Sequence, residues 1–155
     1  MSDTRRNPIE GAPFVCTERV RWADVDLVGI MRYSAFTRLI EFAEQEMLRE
    51  AGLPFSQVFD APDVWLPRRA LSIEYFAPAR IDDLIEISAF VSRMGDTSLT
   101  FTFEMRLPGD VQVATATMTV VAVTARTFTK RSLPDEVRDG LARFVVTTVS
   151  APSAR

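Results

Sequence analysis

The sequence predicts one α+β domain, because one strand and one long helix precede a run of four strands. Apolar residues recur with a helical period in the first third of the chain and with a period of two from Arg68 onward. A helix that is separate from a run of antiparallel strands is typical of a sheet packed around or against that helix. A chain of 155 residues is long enough to bury one such core. We expect a single domain at 14–144, a flexible leader at 1–13 and a loose tail at 145–155.

The first strand and the long helix are predicted from two different periodicities. Alternating apolar and polar residues predict a strand from Phe14 to Trp22. Ser34 then stands at the N-cap position of a helix that runs to about Ala51, where Gly52 ends it. The apolar stripe of this helix has spacings of three and four residues and consists of Phe36, Leu39, Ile40, Ala43, Met47 and Ala51.

Four further strands follow the helix. They are predicted at Ala70–Phe76, Leu84–Ser92, Ser98–Leu107 and Val111–Thr127. The third is the clearest, because its apolar side chains, Phe101 and Phe103 among them, alternate strictly with polar ones. The last has no charge between Gln112 and Ala125, which indicates a central strand covered on both faces or a strand at a subunit contact. A short helix from about Ser132 to Phe144 completes the domain.

The composition excludes several kinds of chemistry. The chain has no histidine, so it has neither Ser-His-Asp nor Cys-His catalysis, and no metal site that contains histidine. The single Cys16 excludes an internal disulfide framework and most zinc-binding patterns, and is expected to serve as a small apolar residue of a strand. We therefore expect no metal and no cofactor. Acid–base chemistry falls to carboxylates, tyrosines, lysine or water.

Charge and hydropathy bear on the partners and the cellular location of the protein. The net charge of −3 gives no overall attraction to nucleic acid or to anionic lipid. No apolar run approaches the length of a membrane span. The first 13 residues are polar and lack the apolar region of a signal peptide, so a cytoplasmic location is predicted.

The stretch between the first strand and the helix is the best candidate for chemistry. It contains Asp24 and Asp26, then Gly29, and it leads directly into the helix. This layout can place a carboxylate beside the free N–H groups of a helix N-terminus, where an oxygen that gains negative charge is stabilised. A carboxylate at that place can act as a base or as a nucleophile. Alternatively, Asp26 is only a pre-helix acid favoured by the helix dipole.

This stretch resembles the acyl-CoA thioesterases of the hotdog fold, in particular the 4-hydroxybenzoyl-CoA thioesterase type. The residues that carry the resemblance are Trp22, Asp24-Val25-Asp26, Gly29, Ile30-Met31 and Tyr33, followed by Gly52-Leu53-Pro54, Tyr75-Phe76-Ala77-Pro78-Ala79, Asp82-Asp83-Leu84 and Gly95-Asp96-Thr97-Ser98. The resemblance covers roughly residues 14–138.

The resemblance implies a fold, an assembly and a mechanism. We expect an antiparallel sheet of about five strands wrapped around one long helix, in a homodimer or a dimer of dimers with the active site at the subunit interface. Asp26 is then the nucleophile or general base, and backbone N–H groups near Tyr33 polarise the thioester carbonyl. Relatives that act on short acyl chains often carry histidine at the position of Tyr33, whereas relatives that act on aromatic acyl groups can carry tyrosine.

Further residues are expected to bind the substrate. Gly29 supplies a backbone angle or a close approach, and Thr97 and Ser98 either contact the site across the dimer or only shape a turn. Arginine and lysine are natural partners of the CoA phosphates. The candidates are Arg68, Arg69, Arg126, Lys130 and Arg131. Alternatively, each of these residues is only a solvated surface charge.

Glu44 is a separate candidate, because another clade of this fold uses a glutamate of the long helix. A solvated helix face is the favoured interpretation of this residue. The predicted function is hydrolysis of an acyl-CoA to the free acid and CoA, with CoA as the carrier in the substrate and no further cofactor. The alternatives are a thioesterase that acts on carrier-protein-bound acyl chains, and a non-catalytic acyl-binding protein of the hotdog fold.

Overall fold

The computed structural model of the protein describes residues 11–54 and 63–147. Its strands are β1 (Phe14–Arg19), β2 (Arg68–Tyr75), β3 (Leu84–Met94), β4 (Ser98–Leu107) and β5 (Val111–Val121), and its helices are α1 (Phe36–Glu50) and α2 (Asp135–Leu141). Short 3-10 turns lie at Trp22–Asp24, Tyr33–Ala35 and Ala142–Phe144. In these residues, no helix is long and apolar enough to cross a membrane.

The five strands form one antiparallel sheet in the order β1-β3-β4-β5-β2. The predicted α+β class, with about five strands and one long helix, is confirmed. Strand β5 lies between β4 and β2, as its uncharged sequence indicates for an interior strand. Strand β2 forms one edge of the sheet, and all of its residues except Ile73 are exposed.

The core lies between α1 and the sheet. Leu39, Ala43 and Met47 of α1 are fully buried, as are Phe101 and Phe103 of β4. Burying a side chain of this size stabilises the fold by about 1.5–3 kcal/mol relative to leaving it exposed. The predicted helical stripe and the predicted β4 alternation therefore meet in one apolar layer.

The start of α1 differs from the prediction. Ser34 is not an N-cap, because it lies inside the 3-10 turn Tyr33–Ala35, and the helix itself begins at Phe36 without a side-chain cap. The carbonyl of Ser34 instead accepts a hydrogen bond from the hydroxyl of Thr37. The sequence predicts where the chain becomes helical, but the 3-10 turn moves the first α-helical residue by one position, from Ala35 to Phe36.

The first strand is also shorter than predicted. It ends at Arg19, and the chain then enters the 3-10 turn that contains Trp22. Trp22 is consequently 84% exposed and does not belong to the buried face. Cys16 is half-buried in β1, and burial raises the pKa of its thiol to about 11, which keeps it uncharged near neutral pH.

The two ends of the described chain lie side by side. The N–H groups of Gly11 and Ala12 donate to the carbonyls of Val145 and Arg143, at 3.0 Å each. The N–H of Val146 donates to the carbonyl of Val91 in β3. Backbone pairing thus extends beyond the predicted limits 14 and 144, while residues 1–10 and 148–155 of the predicted leader and tail lie outside the described residues.

Candidate active site

The loop between β1 and α1 holds Asp26 through its own backbone. The N–H of Asp26 donates to the carbonyl of Ile30 at 2.9 Å, and the N–H of Gly29 donates back to the carbonyl of Asp26 at 3.0 Å. Gly29 has φ +80°, which side chains rarely adopt, and a Cβ built there would meet nothing within 4 Å. Of the two roles predicted for Gly29, the structure therefore shows the backbone angle.

The carboxylate of Asp26 is fixed by one of its two oxygens. Oδ1 accepts hydrogen bonds from the N–H groups of Val28 at 2.9 Å and Ile30 at 3.4 Å. Oδ2 accepts no hydrogen bond from any residue in 11–54 or 63–147. Asp26 is exposed and lines a cavity of about 620 Å³. The loop thus holds the carboxylate in place and leaves one oxygen available.

The same cavity contains the start of the helical segment. Within the described part of the chain, the N–H groups of Tyr33 and Ser34 have no acceptor, as expected for the first residues of a helix. The side chain of Tyr33 is 78% exposed at the cavity. Tyr33 and Asp26, which the sequence predicts to lie together, thus line one cavity, and Ser34 directly follows Tyr33.

The walls of the cavity are mainly apolar and aromatic. They are formed by Ile30, Met31, Phe36, Tyr75, Phe76, Ala77 and Pro78, together with Arg32. The ring of Tyr75 packs edge-on against Phe36, with 5.1 Å between the ring centroids. The hydroxyl of Tyr75 donates to the carbonyl oxygen of Tyr33 at 3.1 Å. The end of β2 is thereby joined to the start of the helical segment.

Asp24 anchors the loop from inside the protein. It is 3% exposed, and its carboxylate accepts two hydrogen bonds from Arg38 of α1 and one from the N–H of Arg21. Burial alone would raise the pKa of Asp24, but the hydrogen bonds from Arg38 and Arg21 and their positive charge outweigh it and lower the pKa below its ordinary value of 3.8. Asp24 therefore holds the loop through a side-chain partner as well as through the backbone.

Glu44 contradicts its predicted interpretation as part of a solvated helix face. It is 2% exposed, and its carboxylate forms an ion pair with Arg68 of β2. Burial raises the pKa of Glu44, the negative charge of Glu41 adds to this effect, and Arg68 opposes it. The pair lines a second cavity of about 420 Å³, between α1 and β2. Arg68, predicted to bind phosphate, thus has a carboxylate partner inside its own chain.

The remaining predicted binding residues lie at the other end of the sheet. Ser98 pairs with Val121 of β5, whereas Tyr75 pairs with Ala114 at the cavity end of the same strand. Seven residues of extended strand separate these positions by about 23 Å. Thr97 and Lys130 lie at the Val121 end, since Thr97 accepts a hydrogen bond from Ala122 and Lys130 pairs with Val123. Arg131 donates its N–H to Ala122 and belongs to the same end.

Sequence reasoning assigned no site role to Tyr75, Phe76 or Arg38. The signal for the first two was present, because Tyr75-Phe76-Ala77-Pro78 is part of the pattern that carries the family resemblance. Arg38 carried no such signal, since an arginine at this place in a helix is expected to be a solvated charge. Its contact with Asp24 spans 14 positions of sequence.

The antiparallel sheet and its one long helix place the chain in the class of hotdog-fold proteins. The chain belongs to the thioesterase-like superfamily, whose sequence model matches residues 20–141. The acyl-CoA thioester hydrolase YbgC of Escherichia coli is 32% identical over 119 residues, which are 77% of this chain and 88% of that protein.

Solved structures support the same fold. A 1,4-dihydroxy-2-naphthoyl-CoA thioesterase from Synechocystis superposes with a TM-score of 0.78 at 21% identity, over 83% of this chain and 95% of that one. A hypothetical protein from Staphylococcus aureus, solved in complex with CoA, superposes with a TM-score of 0.83 at 12% identity, over 96% of this chain and 94% of that one. The predictions of the hotdog fold and of the thioester hydrolase class are confirmed.

Proposed function

We propose that this protein is an acyl-CoA thioesterase that hydrolyses its substrate to the free acid and CoA. One observation carries the proposal: Asp26 and Tyr33 line the same cavity, and among the described residues neither Oδ2 of Asp26 nor the N–H of Tyr33 or of the adjacent Ser34 has a hydrogen-bond partner. The N–H groups bind the carbonyl oxygen of the thioester and stabilise the negative charge that it gains. The apolar and aromatic walls receive the acyl group.

Asp26 acts on the thioester carbon in one of two ways. In direct attack, the carboxylate bonds to the carbonyl carbon, the C–S bond breaks, and CoA leaves as a thiolate that takes a proton from solvent. Water then splits the mixed anhydride into the free acid and the Asp26 carboxylate. In the other route, Asp26 takes a proton from a water molecule while that water attacks the same carbon. The C–S bond then breaks, and CoA leaves as a thiolate that takes the proton from Asp26.

Hydrolysis in ¹⁸O-labelled water distinguishes these routes. After many turnovers, mass spectrometry of the peptide that contains Asp26 shows whether the label has entered its carboxylate. Label in Asp26 identifies direct attack, because only an anhydride exposes the Asp26 carbonyl carbon to water. Label confined to the free acid excludes an anhydride that water opens at Asp26.

We further propose that the site is completed by a second copy of the chain. Among the described residues, no strand pairs with the outer edge of β2, and such an edge pairs readily with another strand. A twofold axis pairs two β2 strands in antiparallel fashion. The Arg68 end of one subunit then lies beside the Tyr75 end of the other, which brings Thr97, Ser98 and Lys130 toward the partner's cavity. In this arrangement, the predicted binding residues at the Val121 end of one sheet and the predicted residues of the partner's cavity form one site.

A thiol-release assay over acetyl-, octanoyl-, palmitoyl- and benzoyl-CoA tests the activity. We expect the wild type to hydrolyse at least one of them and Asp26→Asn to lose about 100-fold or more in kcat, as removal of a base or nucleophile does. Asp139→Asn, at an exposed position of α2, is the matched control and should retain wild-type activity.

Two outcomes would contradict the proposal. If none of the four thioesters is hydrolysed, acyl-CoA is not the substrate, and the same acyl chains on a carrier protein are tested next. If Asp26→Asn hydrolyses them as fast as the wild type, Asp26 has only a structural role.

A further inference from the structure

We propose that Tyr75 is a positioning residue for thioester hydrolysis, acting through the peptide that joins Tyr33 to Ser34. The inference rests on the proposed function and adds a specific residue to it. Tyr75 lies 42 positions from Tyr33 in sequence, yet its hydroxyl donates to the Tyr33 carbonyl at 3.1 Å. That carbonyl belongs to the same peptide unit as the N–H of Ser34, which directly follows the cavity residue Tyr33 and has no acceptor among the described residues.

The geometry of a peptide makes this contact consequential. In a planar trans peptide, the C=O and the N–H point in opposite directions. A hydrogen bond that holds the carbonyl of Tyr33 therefore also fixes the direction of the Ser34 N–H. A hydrogen bond accepted by the carbonyl also polarises the peptide and strengthens the N–H as a donor.

The hydroxyl of Tyr75 is itself held in place. Its backbone pairs with Ala114 at the end of β2, and its ring packs edge-on against Phe36, the first residue of α1. The start of α1 has no side-chain cap, so Tyr75 supplies a restraint that the helix itself lacks.

Loss of the Tyr75 hydroxyl should affect the chemical step rather than the binding of substrate. An N–H that binds the carbonyl oxygen contributes most when that oxygen carries negative charge, which occurs in the transition state. Loss of the Tyr75 hydroxyl leaves the donor present but less well oriented and less polarised. The rate of the chemical step should fall, whereas binding of the thioester should change little.

The test compares Tyr75→Phe with the wild type on the panel member that the wild type hydrolyses fastest. We expect the single-turnover rate to fall by about 5- to 20-fold, less than for loss of a whole oxyanion donor, with KM within about twofold. Thr117→Val removes a hydroxyl from an exposed position of β5 and should leave both values unchanged. Tyr75→Phe keeps the ring contact with Phe36, so its fold should be retained.

A second measurement requires no substrate. Loss of the hydrogen bond should move the carbonyl ¹³C resonance of Tyr33 and the amide ¹⁵N resonance of Ser34 in Tyr75→Phe, but not in Thr117→Val. An unchanged Tyr33 carbonyl resonance, or an unchanged single-turnover rate, would overturn the role of Tyr75. A rise in KM with the rate retained would also overturn it, because the hydroxyl would then bind substrate directly. Absence of turnover in the wild type would instead contradict the proposed function, while the resonances still report the hydrogen bond.

Discussion

Arg38 and Asp24 form a two-point ion pair inside the protein, with Nε 2.9 Å from Oδ1 and Nη2 2.5 Å from Oδ2. The side chain of Asp24 is only 4% exposed, whereas that of Arg38 is 34% exposed. The pair joins α1 to the loop that carries Asp26, two residues after Asp24. The carbonyl of Asp24 also accepts the N–H of Arg32, so both its side chain and its backbone hold this loop.

Arg38→Met should destabilise the protein, because it leaves the buried carboxylate of Asp24 without its cationic partner. We expect a loss of about 2–3 kcal/mol in the free energy of unfolding, less than for a fully buried pair because Arg38 is partly exposed. Urea denaturation measures the loss. Arg49→Met, which removes the exposed pair with Glu46, is the control and should cost less than about 0.5 kcal/mol. Equal losses in the two variants would show that the Asp24 pair has no special role.

Asp24 should also make stability depend on acid pH. Its pKa is lower in the folded state than its ordinary value of 3.8, so the unfolded chain binds the proton more readily. Its contribution is therefore fully present above the unfolded pKa and is lost as the pH falls through the folded pKa. The free energy of unfolding should fall less steeply below about pH 4 in Asp24→Asn than in the wild type. Parallel pH profiles for the two proteins would contradict this prediction.

Glu44 should make the stability of the protein depend on pH in the opposite direction. Burial raises its folded-state pKa above the ordinary value of 4.5, so the folded protein binds the proton more readily than the unfolded chain. Its contribution is present below pH 4.5 and is lost as the pH rises through the raised pKa. The stability of Glu44→Gln relative to the wild type should therefore increase from pH 4.5 toward pH 8, measured by urea denaturation. A constant difference over this range would show that Glu44 titrates normally.

Gly29→Ala should damage the loop through backbone strain alone. A Cβ has space at this position, but φ +80° is unfavourable for alanine by about 1–2 kcal/mol. The variant should lose about 1 kcal/mol of stability and should hydrolyse thioesters more slowly, because relief of the strain moves the N–H groups that hold Asp26. Gly29→Asn is the matched comparison, since asparagine tolerates this conformation better and should lose less. Equal effects of alanine and asparagine would point to a cause other than backbone conformation.

A site shared between subunits predicts recovery of activity when two damaged variants are mixed. Asp26→Asn damages one side of the proposed site, and the double variant Thr97→Val with Ser98→Ala damages the other. After unfolding and refolding together, half of the dimers are mixed and each contains one intact site. The mixture should therefore recover about a quarter of wild-type activity. Absence of recovery would place Thr97 and Ser98 outside the site, provided that sedimentation shows mixed dimers.

The sequence predicted the elements whose signal is local. The helical stripe that contains Leu39 and Met47, and the alternation through Phe101 and Phe103, each follow from the period of one element, and both are buried as predicted. The resemblance carried by Asp26 and Gly29 placed the candidate site in the loop whose Asp26 lines the apolar cavity. The limits of β1 and α1 were less accurate, because the 3-10 turns at Trp22–Asp24 and Tyr33–Ala35 interrupt the periodic patterns.

The sequence by itself thus determined the fold class, the family and the loop that carries Asp26. Only the tertiary structure decided which partners Asp24, Glu44 and Tyr33 have, because each partner comes from a different element. Arg38 and Arg68 are ordinary surface charges in any one-dimensional pattern, yet in the fold each one pairs with a buried carboxylate. Tyr75 reaches Tyr33 only because the edge strand ends beside the start of α1. Periodicity records which face of an element is buried, whereas contacts between elements depend on how the sheet and helix pack.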